Sequence, residues 1–148
     1  MPPVMNSVTE AGPLETWETL QDNQDAVLVD VRTRPEWAYI GTANLDALGR
    51  KPILIEWLQY PDMSVNPTFA TELLEHLGDE VPAKIFFLCR SGVRSLAAAY
   101  NVAEIFGAQG LNTECVNILE GFEGDLDSDR HRGQVNGWKV RGLAWRQT

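Results

Sequence analysis

The residues best suited to chemistry lie in one short segment, Cys89-Arg90-Ser91-Gly92-Val93-Arg94-Ser95. An apolar run that predicts a buried strand precedes it, and an alanine-rich stretch that predicts a helix follows it. A loop that turns into a helix N-terminus directs several backbone N–H groups at one point and can bind an anion there. Gly92 permits the tight turn, and Arg90 and Arg94 add positive charge, so the segment predicts an anion site.

Cys89 lies at the centre of this predicted anion site and is interpreted as a nucleophile, because such donors favour the thiolate form. The same donors would hold an anionic sulfur bonded to Cys89, or an oxyanion in front of it. No histidine is near in sequence to act as a base. Exchange at sulfur needs a thiolate and a good leaving group rather than a proton relay. The alternative is a buried strand-end cysteine beside a capped helix.

Strands and helices alternate along the chain. A continuous apolar run predicts a buried strand at residues 26–31, and further strands are predicted at 53–55, 84–88 and, with mixed polarity, 113–119. Helices are predicted near 14–20, 69–77 and 95–106. This alternation predicts an α/β fold with a parallel sheet. Ligands of such sheets bind beyond the carboxyl ends of the strands, where Cys89, Asp30 and Arg32 are all expected.

Length and composition place the chain among single-domain globular proteins. It has 148 residues, 44% of them hydrophobic, and a net charge of −9, which argues against nucleic acid or an acidic membrane as the partner. Two cysteines provide neither a disulfide framework nor a four-ligand zinc site, so no metal is expected. With no signal peptide and no apolar run of spanning length, a cytoplasmic location without membrane attachment is expected.

Charge and composition divide the chain into three parts. Residues 1–12 are expected to be a loose arm and residues 13–129 the domain. Residues 130–148 form a basic, glycine-containing tail that Trp138 and Trp145 are expected to anchor to the same domain. The tail carries five basic residues and no acid, so a +5 tail follows a −14 body.

Several motifs in this order resemble the rhodanese-homology family, in its single-domain sulfurtransferase form. The resemblance covers most of the chain, roughly residues 14–119, and its last motif continues to Phe122. It rests on four motifs: Leu28-Val29-Asp30-Val31-Arg32 with Glu36-Trp37, Gly41-Thr42-Ala43-Asn44-Leu45, the cysteine loop, and Val116-Asn117-Ile118-Leu119-Glu120-Gly121-Phe122. The chain departs from the family in reading Tyr39-Ile40-Gly41 where His-Ile-Pro-Gly is common. It also has Phe122 where a second glycine is usual.

This resemblance implies a doubly wound, twisted sheet of about five mostly parallel strands with helices on both faces. It implies that Cys89 takes sulfane sulfur from thiosulfate or a related donor as a persulfide. A thiophilic acceptor, either cyanide or a thiol that a protein can supply, then removes the sulfur without any cofactor. The residues equivalent to Asp30, Arg32 and Glu36 support the site, with Arg32 expected to pair with Glu36.

Two other functions remain open from the sequence. The first is a non-catalytic binding or regulatory module of the same fold, although such modules usually lose the cysteine or the loop donors. The second is a cysteine phosphatase or arsenate reductase, although the six residues from Cys89 to Arg94 are one fewer than those enzymes use. Cys115 is interpreted as a core residue rather than a resolving thiol, and His131 as a loop residue rather than part of the cleft rim.

Overall fold

The computed structural model describes residues 2–148. Five strands form the main sheet: β1 (Val8–Ala11), β2 (Ala26–Asp30), β4 (Ile53–Leu54), β7 (Lys84–Leu88) and β8 (Glu114–Ile118). The helices are α1 (Pro13–Asp22), α2 (Arg34–Tyr39), α3 (Phe69–Leu77) and α4 (Val93–Ala108), with a 3-10 turn at Asp46–Leu48. Two small antiparallel pairs join β3 (Thr42–Ala43) to β9 (Trp145–Arg146) and β5 (Leu58–Gln59) to β6 (Ser64–Val65).

The main sheet is parallel throughout and has the strand order β1-β8-β7-β2-β4. After β2 the chain moves outward to β4, whereas after β7 it moves in the opposite direction to β8. Connections that diverge in this way leave a crevice beyond the carboxyl ends of the two strands. The ends of β2 and β7 therefore define where a ligand site should be, and Cys89 directly follows β7.

Side chains alternate between the two faces of the sheet, with the period of two expected of strands. In β7, Ile85 and Phe87 pack with α3 and α4 on one face, while Phe86 and Leu88 pack on the other face with Leu20 of α1. Each face therefore has its own apolar core. The prediction of an α/β fold with helices on both sides of a five-stranded sheet is confirmed.

Two segments outside the predicted elements contribute to the sheets. Val8–Ala11, expected in the loose arm, pairs along β8 as the edge strand β1. These four residues, Val-Thr-Glu-Ala, are too few to predict a strand by themselves. Within residues 40–49, expected to be a loop, Thr42–Ala43 forms β3 and pairs with β9 of the tail. Long-range pairing stabilises both segments.

The basic tail packs against the sheet face that α1 covers. Trp138 is fully buried there, with its ring centroid 6.0 Å from that of Trp17. The indole N–H of Trp138 donates to the carbonyl of Ala144 at 2.9 Å. This tryptophan makes the tail part of the second apolar core.

Over residues 2–148, none of the helices combines the length and the apolar character that crossing a membrane requires.

Candidate active site

Cys89 lies at the floor of the loop between β7 and α4. Its sulfur accepts a hydrogen bond from the backbone N–H of Gly92 at 3.1 Å. Gly92 has a φ of 112°, which a residue with a side chain rarely adopts, so this glycine lets the loop turn back toward the sulfur. The first N–H groups of α4 have no acceptor within the helix and lie at the same end. The structure thus contains the loop geometry that the sequence predicts.

The loop after β8 packs against the cysteine loop and donates hydrogen bonds to its backbone. The N–H of Phe122 donates to the carbonyl of Cys89 at 2.8 Å, and the N–H of Gly124 donates to the carbonyl of Arg90 at 3.1 Å. Gly121 packs so closely that a Cβ atom there would lie 2.5 Å from the carbonyl of Arg90. Only glycine fits at this approach, so the Gly121 motif fixes the backbone of the cysteine loop.

Arg94 is bound by Glu36 of α2. Its two terminal nitrogens donate to the two carboxylate oxygens of Glu36 at 2.7 and 2.9 Å. The backbone N–H and the hydroxyl of Thr33 donate to the same carboxylate, which completes a capping box at the start of α2. The expectation that Arg94 offers its charge to a substrate anion therefore needs correction, because Glu36 already occupies its guanidinium.

Burial alone raises the pKa of Glu36, but the hydrogen bonds and charge of Arg94 and the donors of Thr33 outweigh it and lower the pKa to about 2. The ion pair is therefore fully formed at neutral pH. This ion pair connects the start of α4 to α2, the short helix that follows β2.

The expected pairing of Arg32 with Glu36 is wrong. Arg32 instead forms a buried pair with Asp30, at 2.7 Å between Nη2 and Oδ2, and also donates to the carbonyl of Gly41 at 2.7 Å. The ring of Phe122 lies 4.3 Å from the guanidinium carbon of Arg32. Phe122, where the family usually has glycine, thus covers a buried cation. Asp30 and Arg32 brace the loop rather than contact solvent.

The mouth of the site is a cleft of about 520 Å³ above Cys89. Its lining includes two cations, Arg90 of the cysteine loop and Arg132 of the tail, and three apolar residues, Val93 and the β5–β6 hairpin residues Leu58 and Met63. Ser91, also in the cysteine loop, completes the lining together with Glu36 and Arg94. Because Glu36 neutralises Arg94, the cations available to an anion at this mouth are Arg90 and Arg132.

Three lining residues, and one buried residue next to the site, were not predicted from the sequence. Arg132 and the hairpin residues Leu58 and Met63 are distant from the cysteine in sequence, and nothing in their local patterns indicates the site. Asn117 was quoted only within the resemblance, yet its side chain lies within hydrogen-bond distance of Ser95, which in turn contacts the sulfur of Cys89. A polar residue in a strand with apolar neighbours was the available signal.

Cys115 lies in the apolar core and is remote from Cys89. Burial, with a smaller contribution from the Glu114 carboxylate, raises the pKa of the Cys115 thiol to about 12. Cys115 is in register with Ile85, four residues before Cys89, which corresponds to about 13 Å along the sheet. Cys115 is therefore a core residue, as predicted. His131 is exposed and lies outside the residues that line the cleft.

Within residues 2–148, no group of three histidine, cysteine, aspartate or glutamate side chains is arranged to hold a metal ion.

The Glu36–Arg94 pair predicts a specific pH dependence of stability. Because the pKa of Glu36 falls from its ordinary 4.5 to about 2 on folding, its contribution is complete above pH 4.5 and is lost as the pH falls toward 2. Glu36→Gln is expected to lower the free energy of unfolding at pH 7 by about 1–3 kcal/mol. The variant is also expected to flatten the pH dependence between pH 4.5 and 2, measured by urea unfolding.

Glu18→Gln is the matched control, because Glu18 is an exposed carboxylate on α1. It should keep the stability and the pH slope of the parent protein. Equal slopes for the parent and Glu36→Gln would contradict an ion pair at this position.

The sheet order and the cysteine loop at the switch point define a rhodanese-like α/β protein. No family model matches the chain. The chain is 37% identical over 139 residues to uncharacterized protein RC0915 of Rickettsia conorii, covering 94% of this chain and 98% of that protein. The identity and the coverage are the same for an uncharacterized protein from the dnaA 5′ region of Rickettsia montanensis.

Two solved structures are similar. The crystal structure of Rv0390 from M. tuberculosis is 43% identical, with a TM-score of 0.80 over 97% of this chain and 99% of that one. The chain belongs to the family that includes Rv0390 and RC0915. The 30 kDa polysulfide-sulfur transferase homodimer from Wolinella succinogenes shares the fold at 20% identity, with a TM-score of 0.54 over 95% of this chain and 80% of that one.

Proposed function

We propose that the protein is a sulfurtransferase that carries sulfane sulfur on Cys89. The observation that carries this proposal is the cysteine sulfur at the floor of a backbone loop, bound by the N–H of Gly92 and open to a cationic cleft. Such a loop favours negative charge on the sulfur and on any sulfur attached to it. The shared fold of a polysulfide-sulfur transferase is consistent with this chemistry.

Thiosulfate or a related persulfide is the donor that this site suits. The Cys89 thiolate attacks the outer sulfur of thiosulfate, and an Sγ–S bond forms while the bond from that sulfur to the sulfonate sulfur breaks. The bonding electron pair leaves with sulfite, and Cys89 retains a persulfide anion. Starting from the thiolate, this step conserves charge and moves no proton, so the attack itself requires no base beside the cysteine.

The acceptor must come from outside the chain. Cys115 is buried, and its raised pKa keeps it a thiol. Its separation from Cys89 also prevents it from reaching the persulfide. The proposed second step is therefore attack by cyanide, a small thiol or a protein thiol on the outer sulfur, which returns Cys89 to the thiolate. A cytoplasmic protein thiol would be available to such a site in its reduced form.

The geometry does not favour the phosphatase or arsenate reductase alternative. A tetrahedral oxyanion is best held by a guanidinium that donates two parallel hydrogen bonds. In this site Glu36 accepts both such bonds from Arg94. The N–H of Gly92, a loop donor at the site, is directed at a single sulfur atom.

Loading of Cys89 tests the proposal directly. After incubation with thiosulfate and removal of excess donor, intact-protein mass spectrometry should show a mass gain of about 32 Da, one sulfur atom. Peptide mapping should place this gain on Cys89, and added cyanide should remove it as thiocyanate. A protein that gains no mass while iodoacetamide still modifies Cys89 would support a binding module instead.

Arg132 is expected to assist the approach of anionic donors. Arg132→Gln removes one of the two free cations at the cleft and should raise the thiosulfate KM about two- to fivefold, with kcat little changed. The difference should shrink as ionic strength rises, because the interaction is screened. Steady-state thiocyanate formation at several salt concentrations measures both effects.

Arg146→Gln is the matched control, since it removes the same charge from the same tail. Arg146 pairs with Asp46 at 2.9 Å and lies outside the cleft lining. Equal changes in KM for the two variants would mean that overall charge, not position, governs donor approach.

A further inference from the structure

Three buried side chains form a polar chain that runs from the sulfur of Cys89 into the sheet. The hydroxyl of Ser95 lies 3.1 Å from the Cys89 sulfur and 2.5 Å from Oδ1 of Asn117. Ser95 is fully buried and Asn117 is 2% exposed. Asn117 points to the face of β8 that packs on α4, where its neighbour on the same face, Cys115, is apolar core. A buried amide at such a position requires an explanation.

The amide of Asn117 can adopt only one orientation. Its Nδ2 donates to the carbonyl of Gly92 at 3.2 Å, and an inverted amide would place two acceptor oxygens against each other there. Oδ1 of Asn117 therefore faces Ser95. An amide oxygen only accepts hydrogen bonds, so the proton between the two groups belongs to the Ser95 hydroxyl. The Ser95 oxygen then turns a lone pair toward the Cys89 sulfur.

We propose that Asn117 is a positioning residue that, through Ser95, holds Cys89 as a thiol in the resting protein. The Ser95 lone pair accepts the S–H of Cys89 and opposes a thiolate at the same place. To react, the Cys89 thiol must lose its proton to solvent in the cleft, which Cys89 lines. To stabilise the resulting thiolate, Ser95 must turn its hydroxyl toward the sulfur, which leaves the buried Oδ1 of Asn117 without a donor. That loss is unfavourable, whereas the N–H of Gly92 favours the thiolate.

This arrangement would protect the cysteine between turnovers. A thiol reacts much more slowly with oxidants and electrophiles than a thiolate does. The inference rests on the proposed function in one respect, that Cys89 is the reacting nucleophile. It adds an influence on the Cys89 sulfur that opposes the backbone donors of the loop. The thiolate expected from the sequence follows from the loop donors alone and leaves out the Ser95 hydroxyl.

The charged groups around Cys89 are not part of this switch. They are Asp30 at the end of β2 and Arg32 just after it, Glu36 of α2, Arg90 and Arg94 of the loop and α4, and Arg132 of the tail. The loop after β8, which packs against the cysteine loop, adds Glu120, paired with Arg141, and Glu123. The variants below leave all of these groups unchanged, and Asn117→Asp adds one negative charge. The comparison of Asn117→Val with the parent protein therefore reports on the hydroxyl and the amide alone.

Alkylation of Cys89 by iodoacetamide across pH tests the proposal without any sulfur donor. Asn117→Val keeps a residue suited to a strand and frees the Ser95 hydroxyl to donate to the sulfur. The pH at which alkylation reaches half its maximal rate should fall by roughly one unit, so that Cys89 reacts about tenfold faster below that pH. Asn117→Asp keeps an acceptor for Ser95 and adds negative charge, and should shift this pH in the opposite direction.

Ser95→Ala shows whether Asn117 acts through the hydroxyl. In a Ser95→Ala background, Asn117→Val should cause no further shift, because the connecting group is gone. An unchanged or raised half-rate pH in Asn117→Val alone, or a full further shift in the Ser95→Ala background, would overturn the proposal. Circular dichroism confirms folding, and should Asn117→Val not fold, Asn117→Ala, which also removes the acceptor of Ser95 without adding charge, takes its place with the same expected shift.

Peptide mapping in each reaction separates Cys89 from Cys115, which should remain unmodified in the folded protein. The result is distinct from a failure of the proposed function. Ordered shifts of the alkylation profile in a protein that gains no sulfur would retain this inference and reject sulfur transfer. Sulfur loading with no shift among the variants would do the reverse.

Discussion

Cys89→Ser is expected to abolish sulfur loading and to reduce cyanide-dependent thiocyanate formation roughly a thousandfold or more, to the uncatalysed background. The hydroxyl can still accept the hydrogen bond of Gly92, so the loop should keep its shape. A hydroxyl is neither ionised near neutral pH nor able to form a stable bond to sulfane sulfur. The loss should therefore appear in kcat while the free energy of unfolding changes little.

Cys115→Ala is the control that separates the two thiols. Cys115 lies in the apolar core, about 13 Å along the sheet from Cys89, so most of the turnover should remain. Stability should fall slightly as a small buried group is lost. Comparable loss of turnover in both variants would contradict a single sulfur-carrying cysteine, as would residual loading in Cys89→Ser.

The local part of the site could be predicted from sequence because the chain holds it together within a few residues. Cys89, Gly92 and the start of α4 lie between an apolar run and an alanine-rich stretch, and both patterns have a clear period. The order of strands and helices is predictable for the same reason. Each element buries a continuous apolar face and needs no distant residue to define it.

The pairing of charged side chains could not be predicted, because it depends on how distant elements meet. Glu36 and Arg94 are 58 residues apart, and only the packing of α2 beside α4 brings them together. Asp30 and Arg32 are two residues apart in the sequence, but whether Arg32 turns toward Asp30 or toward Glu36 depends on Gly41 and the ring of Phe122. The sequence could identify these residues as supporting groups but not assign their partners.

Net charge illustrates the same limit. The +5 tail divides into residues with different roles: Arg132 reaches the cleft, while Arg141 pairs with Glu120 and Arg146 with Asp46. A chain of net charge −9 thus presents two arginines at one mouth, as the proposed anionic donor requires. Average charge constrains the class of partner, whereas position determines which ligand charge a site accepts.

The tail is also part of the fold, so Trp138→Ala is expected to destabilise the protein strongly. Trp138 is fully buried against Trp17, and its backbone N–H donates to the carbonyl of Gly121 at 2.8 Å, beneath the cysteine loop. Truncating a buried tryptophan costs about 3–5 kcal/mol, a large share of the stability of one domain. Thermal unfolding followed by circular dichroism should show a melting temperature lower by roughly 10 °C.

Trp145→Ala is the matched control from the same tail. Trp145 is 39% exposed, contacting Phe122 edge-to-face and Lys139 through its ring. Its loss should cost only about 1 kcal/mol. Similar melting temperatures for the two variants would show that Trp138 adds no more than a surface contact. The expected difference has a consequence for experiments on the charge of the tail. Deleting residues 130–148 would remove Arg132 together with Trp138, which is part of the apolar core. The resulting unfolding would mask any electrostatic effect on donor binding, so single substitutions are needed instead.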